Sequence, residues 1–137
     1  MKRFLLTGVC LIVLFASCSR KLNNGCPVNQ ICTEIFASVG TQFVDNNGNA
    51  VTVTDFKVTN QRTNRTIQPK GELPSGNLPP FYTIVNDSNK KELSTKGDDI
   101  IVTAVYNGQK VTGTFKISGG CNCHVTKLSG PEKIIVN

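Results

Sequence analysis

One histidine, His124, supplies all the imidazole in 137 residues, and no serine or cysteine nucleophile motif stands beside it. Acid–base chemistry near neutral pH draws on histidine or on a tuned carboxylate pair. The only adjacent carboxylates, Asp98-Asp99, open a β-prone run, where neighbouring side chains point to opposite faces and do not share one substrate, so the pair reads as a solvated strand start. A cofactor motif is missing as well. The longest apolar stretch, Phe4 to Ala16, has 13 residues, short of the about 20 that a membrane-crossing helix needs. Beyond Arg20-Lys21, the only adjacent basic pair is Lys90-Lys91, so the positive charge reads as a solvated, mixed surface and not as a nucleic-acid groove. These absences point away from an enzyme, a cofactor carrier and a nucleic-acid binder.

What the chain does have begins at its first residues. Lys2 and Arg3 precede the apolar stretch, which closes on Phe15-Ala16-Ser17-Cys18; this is the order of an export signal ending at small residues. The segment resembles the lipobox signal of bacterial lipoproteins, with Phe15 standing where leucine is more usual. The resemblance implies cleavage before Cys18 and acylation of that cysteine. Residues 1–17 are then a signal peptide, 18–25 a membrane-proximal tether and 26–137 the folded domain. Without Lys2 and Arg3, 13 basic residues face 9 acidic ones, a net +4.

The seven tether residues after Cys18, SRKLNNG, reach no further than about 25 Å when extended. The domain is therefore held near its membrane, and Arg20 and Lys21 favour anionic headgroups. By the same resemblance, Ser19 suits sorting to the outer membrane. The region after Cys18 has no acidic cluster resembling that of lipoprotein surface-export signals, and the resemblance therefore implies the periplasmic side.

Beyond Cys32 the chain alternates short β-prone runs with turn residues, and no amphipathic helix or internal repeat is visible. The expected strands are Phe36–Val44, Ala50–Thr59, Arg65–Gln68, Phe81–Val85, Asp99–Tyr106, Gln109–Ser118, Cys123–Leu128 and Lys133–Val136. Seven or eight such strands suggest an all-β sandwich. Asp45-Asn46-Asn47-Gly48-Asn49 reads as an Asx-rich turn joining the first two into a long hairpin; a Ca²⁺ loop there lacks the closing bidentate Glu. Asn107-Gly108 suits a type I′ turn. Its register sets Ile100, Val102 and Ala104 opposite Phe115, Gly113 and Val111 on one apolar face. The irregular stretch Lys70–Pro80, with Tyr82 beside it, is the expected contact surface for a protein or glycan partner.

Six cysteines are present. With Cys10 in the signal and Cys18 acylated, Cys26, Cys32, Cys121 and Cys123 remain, and an oxidising compartment favours two disulfides. A Cys121–Cys123 bridge closes a strained ring, so the expected bridges run crosswise from Cys26 and Cys32, in either of two connectivities. The alternative is a Zn or Cu(I) site at Cys121, Cys123 and His124, completed by one of the earlier cysteines.

The run FVDNNGNAV followed by TDFKVTNQRTNRTI, within Phe36–Ile67, resembles the start of carboxypeptidase regulatory-like, transthyretin-like β-sandwich domains. It covers about a quarter of the chain, and no functional residue carries over. The resemblance implies an Ig-like or transthyretin-like accessory module without catalysis.

Overall fold

The computed structural model describes residues 22–23, 26–27, 29–70 and 80–137. Two short strands, β1 (Leu22–Asn23) and β2 (Cys26–Pro27), pair antiparallel ahead of the main body. In that body β3 (Ser38–Val44), β6 (Tyr82–Asn86) and β10 (Lys133–Ile135) make a three-stranded sheet in the order β10-β3-β6. The other sheet has five strands: β4 (Thr54–Asn60), β5 (Arg65–Ile67), β7 (Asp98–Tyr106), β8 (Gln109–Ser118) and β9 (Thr126–Ser129), in the order β5-β4-β7-β8-β9. The fold is an all-β sandwich. Among the described residues only β10 joins its neighbour in parallel, beside β3.

The β7–β8 hairpin forms in the expected register, with Tyr106 opposite Gln109, Val102 opposite Gly113 and Ile100 opposite Phe115. Asn107 and Gly108 take φ values of 48° and 76°, the pair of positive angles a type I′ turn requires. Alternation then does the sorting. Ile100, Val102, Ala104, Phe115 and Ile117 face inward and are buried, and they meet Phe43, Ile84, Val85 and Ile134 from the opposite sheet in one core. Phe43 joins the layers, its ring centroid 6.3 Å from that of Phe56 on β4 and 5.2 Å from that of Tyr82 on β6, both edge-on.

The first two long runs do not form a hairpin. Asp45 does build the expected tight turn, its Oδ1 accepting from the Asn47 and Asn49 N–H at 2.9 Å each, and a single bridge joins Val44 to Ala50. The chain then crosses between sheets. Val53 is buried, its N–H donates to the Tyr82 hydroxyl at 2.9 Å, and β4 begins only at Thr54. A positive φ of 51° at Asp55 coincides with the register shift between Thr54 and Lys57 against β7. Burial of Phe43 and Val53 on facing layers thus overrides local hairpin pairing.

Tyr82 belongs to the core aromatic cluster and not to a binding surface, while residues 71–79 of the expected contact loop lie outside the described residues. After β6 a six-residue 3-10 helix, Asp87–Glu92, occupies part of the stretch between two expected strands. Asn86 caps it by accepting from the Ser88 N–H at 3.0 Å, and the Asn89 side chain answers to the Asn86 N–H at 3.4 Å. Among the described residues no helix is long and apolar enough to cross a membrane.

Candidate functional site

The chemistry-bearing side chains collect at one end of the sandwich, where β7 begins, β8 ends and the 3-10 helix lies. Asp98 opens β7 with its side chain 2% exposed. This corrects the expectation of a solvated strand start; Asp99 beside it is exposed, as strand alternation requires. Arg62 makes a two-pronged ion pair to Asp98, Nε to Oδ1 at 2.7 Å and Nη2 to Oδ2 at 2.9 Å. The Asn60 side-chain amide and the Ser94 N–H donate to Oδ2 at 2.7 and 3.0 Å. Burial alone would raise the Asp98 pKa; the Arg62, Asn60 and Ser94 hydrogen bonds outweigh it and hold the carboxyl below its ordinary value.

Asp87 performs a similar service between the sheets. Its Oδ2 accepts from the Ala37 N–H at 2.9 Å, ahead of β3, and its Oδ1 from the Val125 N–H at 2.9 Å, ahead of β9. Oδ2 also lies 2.7 Å from Nδ1 of His124, whose Nε2 is 2.8 Å from the Thr33 hydroxyl. With Asp87 ionised, Nδ1–H donates to its carboxylate, and the Thr33 hydroxyl, which can donate or accept, completes the contact at Nε2. Burial works to raise the Asp87 pKa, but the backbone donors and His124 prevail and lower it.

The order carboxylate, imidazole, hydroxyl is that of a nucleophile relay. Here the carboxylate works as a clamp, because it ties down two backbone segments. His124 is thus half-buried and doubly engaged, not a plain surface residue, and Thr33 and Asp87 were not singled out from sequence. Asp87 had a local signal, the turn-forming run Asn86-Asp87-Ser88; the pairing with His124, 37 residues away, had none.

The cysteines are joined crosswise, Cys26 to Cys121 and Cys32 to Cys123, with Cα–Cα distances of 5.2 Å in both. Cys121–His124 is a turn and not the start of a strand; β9 begins at Thr126. Gly119 and Gly120 make this turn by lying against the loop after the 3-10 helix: the Gly120 N–H donates to the Lys90 carbonyl at 2.7 Å, and the Cys121 N–H to the Thr95 hydroxyl at 3.0 Å. Gly120 has a φ of 58°, and a Cβ there would lie 2.8 Å from the Thr95 nitrogen. Gly120→Ala is therefore expected to destabilise the protein by about 1–3 kcal/mol, read by urea unfolding under non-reducing conditions. A change within about 0.5 kcal/mol, the usual range of surface substitutions, would show that this backbone approach is not constraining.

The alternative metal set does not assemble in this structure. Both Cys121 and Cys123 are in disulfides, which removes the thiolates such a site needs, and both His124 nitrogens have protein partners. Among the described residues no group of three or more His, Cys, Asp or Glu is placed to hold a metal ion. Asp45 likewise directs its carboxylate into its own turn. Cys18 lies outside the described residues.

Low carboxylate pKa values have a pH consequence. A group whose folded pKa lies below its unfolded value stabilises the fold above the unfolded pKa, about 3.9 for Asp, and loses that contribution as pH falls through the folded pKa. Asp87 and Asp98 both act in this direction. Unfolding free energy is expected to change little between about pH 7 and pH 5 and to drop from about pH 4 downward, with a shallower drop in Asp98→Asn. Denaturant unfolding across this range checks it; an identical acid profile in the variant would remove Asp98 from the account.

Compared with protein-family models, with curated proteins and with solved structures, the chain matches none of them.

Proposed function

We propose that this chain is a lipid-anchored envelope lipoprotein, acylated on Cys18, whose β-sandwich acts as a non-catalytic binding or structural module. Its place is the periplasmic face of the outer membrane, and its partner is a protein or a glycan. The observation that carries the reading is the crosswise pair of disulfides. They are bonds of an oxidising compartment, and they fasten the first residues after the tether to the far end of the chain. The lipobox-like Phe15-Ala16-Ser17-Cys18 supplies the address and the anchor. The transthyretin-like pattern between Phe36 and Ile67 agrees with an accessory role, as does the use of Asp87 and Asp98 in holding loops to the sheets.

Growth with an alkyne-bearing fatty acid tests the anchor. The wild-type chain is expected to take up the label and Cys18→Ala to take up none. Equal labelling of the two, or no label in the wild type, would overturn the lipoprotein reading.

A further inference from the structure

We infer that the disulfide end of the sandwich is a bilayer-docking face, with Ile31, Ile35 and Phe36 entering the boundary between headgroups and acyl chains of an anionic phospholipid membrane. The inference rests on acylation of Cys18 and goes beyond it, since an acyl anchor alone leaves the domain free to turn in any direction.

Three large apolar side chains within six residues stand in solvent, Ile31 at 97%, Ile35 at 70% and Phe36 at 63% exposed. Single exposed hydrophobes are ordinary, but a cluster of this kind marks a contact surface. The segment is not free to fold them inward. Cys32 is bonded to Cys123, the Thr33 hydroxyl lies on His124, and the Ala37 N–H is held by Asp87.

The chain path identifies the occupant. Seven residues separate Cys18 from Cys26, a reach of about 25 Å at most, and Cys26 is bonded to Cys121 at this same end. The tip of the β7–β8 hairpin lies at the opposite end of the nine-residue β7, about 30 Å away. An anchored molecule therefore presents the disulfide end to lipid sooner than any other surface. Beside the apolar trio, a notch is lined by Cys26, Gln30, Cys32, Lys90, Lys91, Gly120 and Cys121. Its charged side-chain ends are the Lys90 and Lys91 ammonium groups, joined by the Gln30 amide and faced by no carboxylate in the lining, which suits a lipid phosphate. Lys90 gives one hydrogen bond to the Cys123 carbonyl at 3.1 Å and keeps two further N–H groups for a headgroup. Glu34 is exposed within the same segment, so the apolar side chains, more than net charge, carry the contact.

The chain contains no tryptophan, so Ile31→Trp and, as control, Gln109→Trp at the exposed hairpin tip each create a single fluorescent reporter. Each full-length protein, extracted from membranes, is reconstituted into vesicles of phosphatidylcholine and phosphatidylglycerol with brominated acyl chains. Its intact mass is read from the same sample. The Ile31→Trp protein is expected to emit to the blue of the control and to be quenched at least about twofold more strongly by the brominated chains, which act only at the depth of the headgroup–acyl boundary and below. Lipid-bearing protein in which the two reporters behave alike would overturn the docking face while leaving the anchor in place. Protein without lipid mass would remove the reading on which the inference rests. A blue shift that follows protein density and not lipid would assign the patch to a second copy of the chain and overturn the inference equally.

Discussion

Removing either disulfide alone is expected to cost about 2.7 kcal/mol, and removing both about 7 kcal/mol. The inequality comes from the crosswise pairing. Cys26–Cys121 and Cys32–Cys123 each span more than ninety residues in sequence, 95 and 91 apart, and the first bridge to close a loop of that size restricts the unfolded chain by about 4.7 kcal/mol in the chain-entropy account. Once either is closed, the path linking the other two cysteines shrinks to about ten residues, because Cys26 and Cys32 are near neighbours and so are Cys121 and Cys123. A short loop restricts less. The Cys26→Ser/Cys121→Ser and Cys32→Ser/Cys123→Ser proteins should therefore resemble one another, and the quadruple variant should be less stable than their separate losses add up to. Urea unfolding of the three variants beside the wild type reads this directly. Losses that add without excess would mean that the bridges act independently through native-state contacts.

Phe43→Ala is expected to lose about 3–5 kcal/mol, the range for a fully buried Phe whose cavity cannot collapse. Phe43 is wholly buried on β3; its edge-on contact with Phe56 on β4 joins the three-stranded sheet to the five-stranded one, and its edge-on contact with Tyr82 on β6 packs it within its own sheet. Strands on both sides are fixed by their own hydrogen bonds, which limits relaxation into the void. Ile135→Ala, on the same sheet but at an exposed position, is expected to stay within about 0.5 kcal/mol. Chemical denaturation of the pair checks the contrast; equal losses would mean that the interlayer aromatic contact is not what holds the sheets together.

The parts of this fold readable in the chain are those in which local and tertiary preferences agree. Asn107-Gly108 prefers the turn it makes, and alternation along Ile100–Ala104 and Val111–Phe115 sorts the hairpin faces without outside help. The Asp45 turn was equally legible, yet the hairpin expected around it did not follow. Whether β4 pairs with β3 or crosses to β7 depends on where Phe43 and Val53 are buried, which is information from the other sheet. The disulfide end shows the same division. Four cysteines beyond an export-like signal point to two bridges, and their spacing argues against joining Cys121 to Cys123, but spacing does not choose between the two crosswise connectivities. Asp98 reads locally as a polar strand start; its burial needs Arg62 and Asn60, 36 and 38 residues away. Thr33 and Asp87 meet His124 only because the staples and the 3-10 helix bring three distant segments together.

The central claim is an anchored module held together by two disulfides at its membrane-facing end. The most direct measurement is the intact mass of the protein extracted from membranes in detergent, alkylated with and without prior reduction. Acyl mass at residue 18, together with four cysteines that alkylate only after reduction, is the predicted result. Protein lacking the lipid, or bearing cysteines between Cys26 and Cys123 that alkylate without reduction, would contradict it.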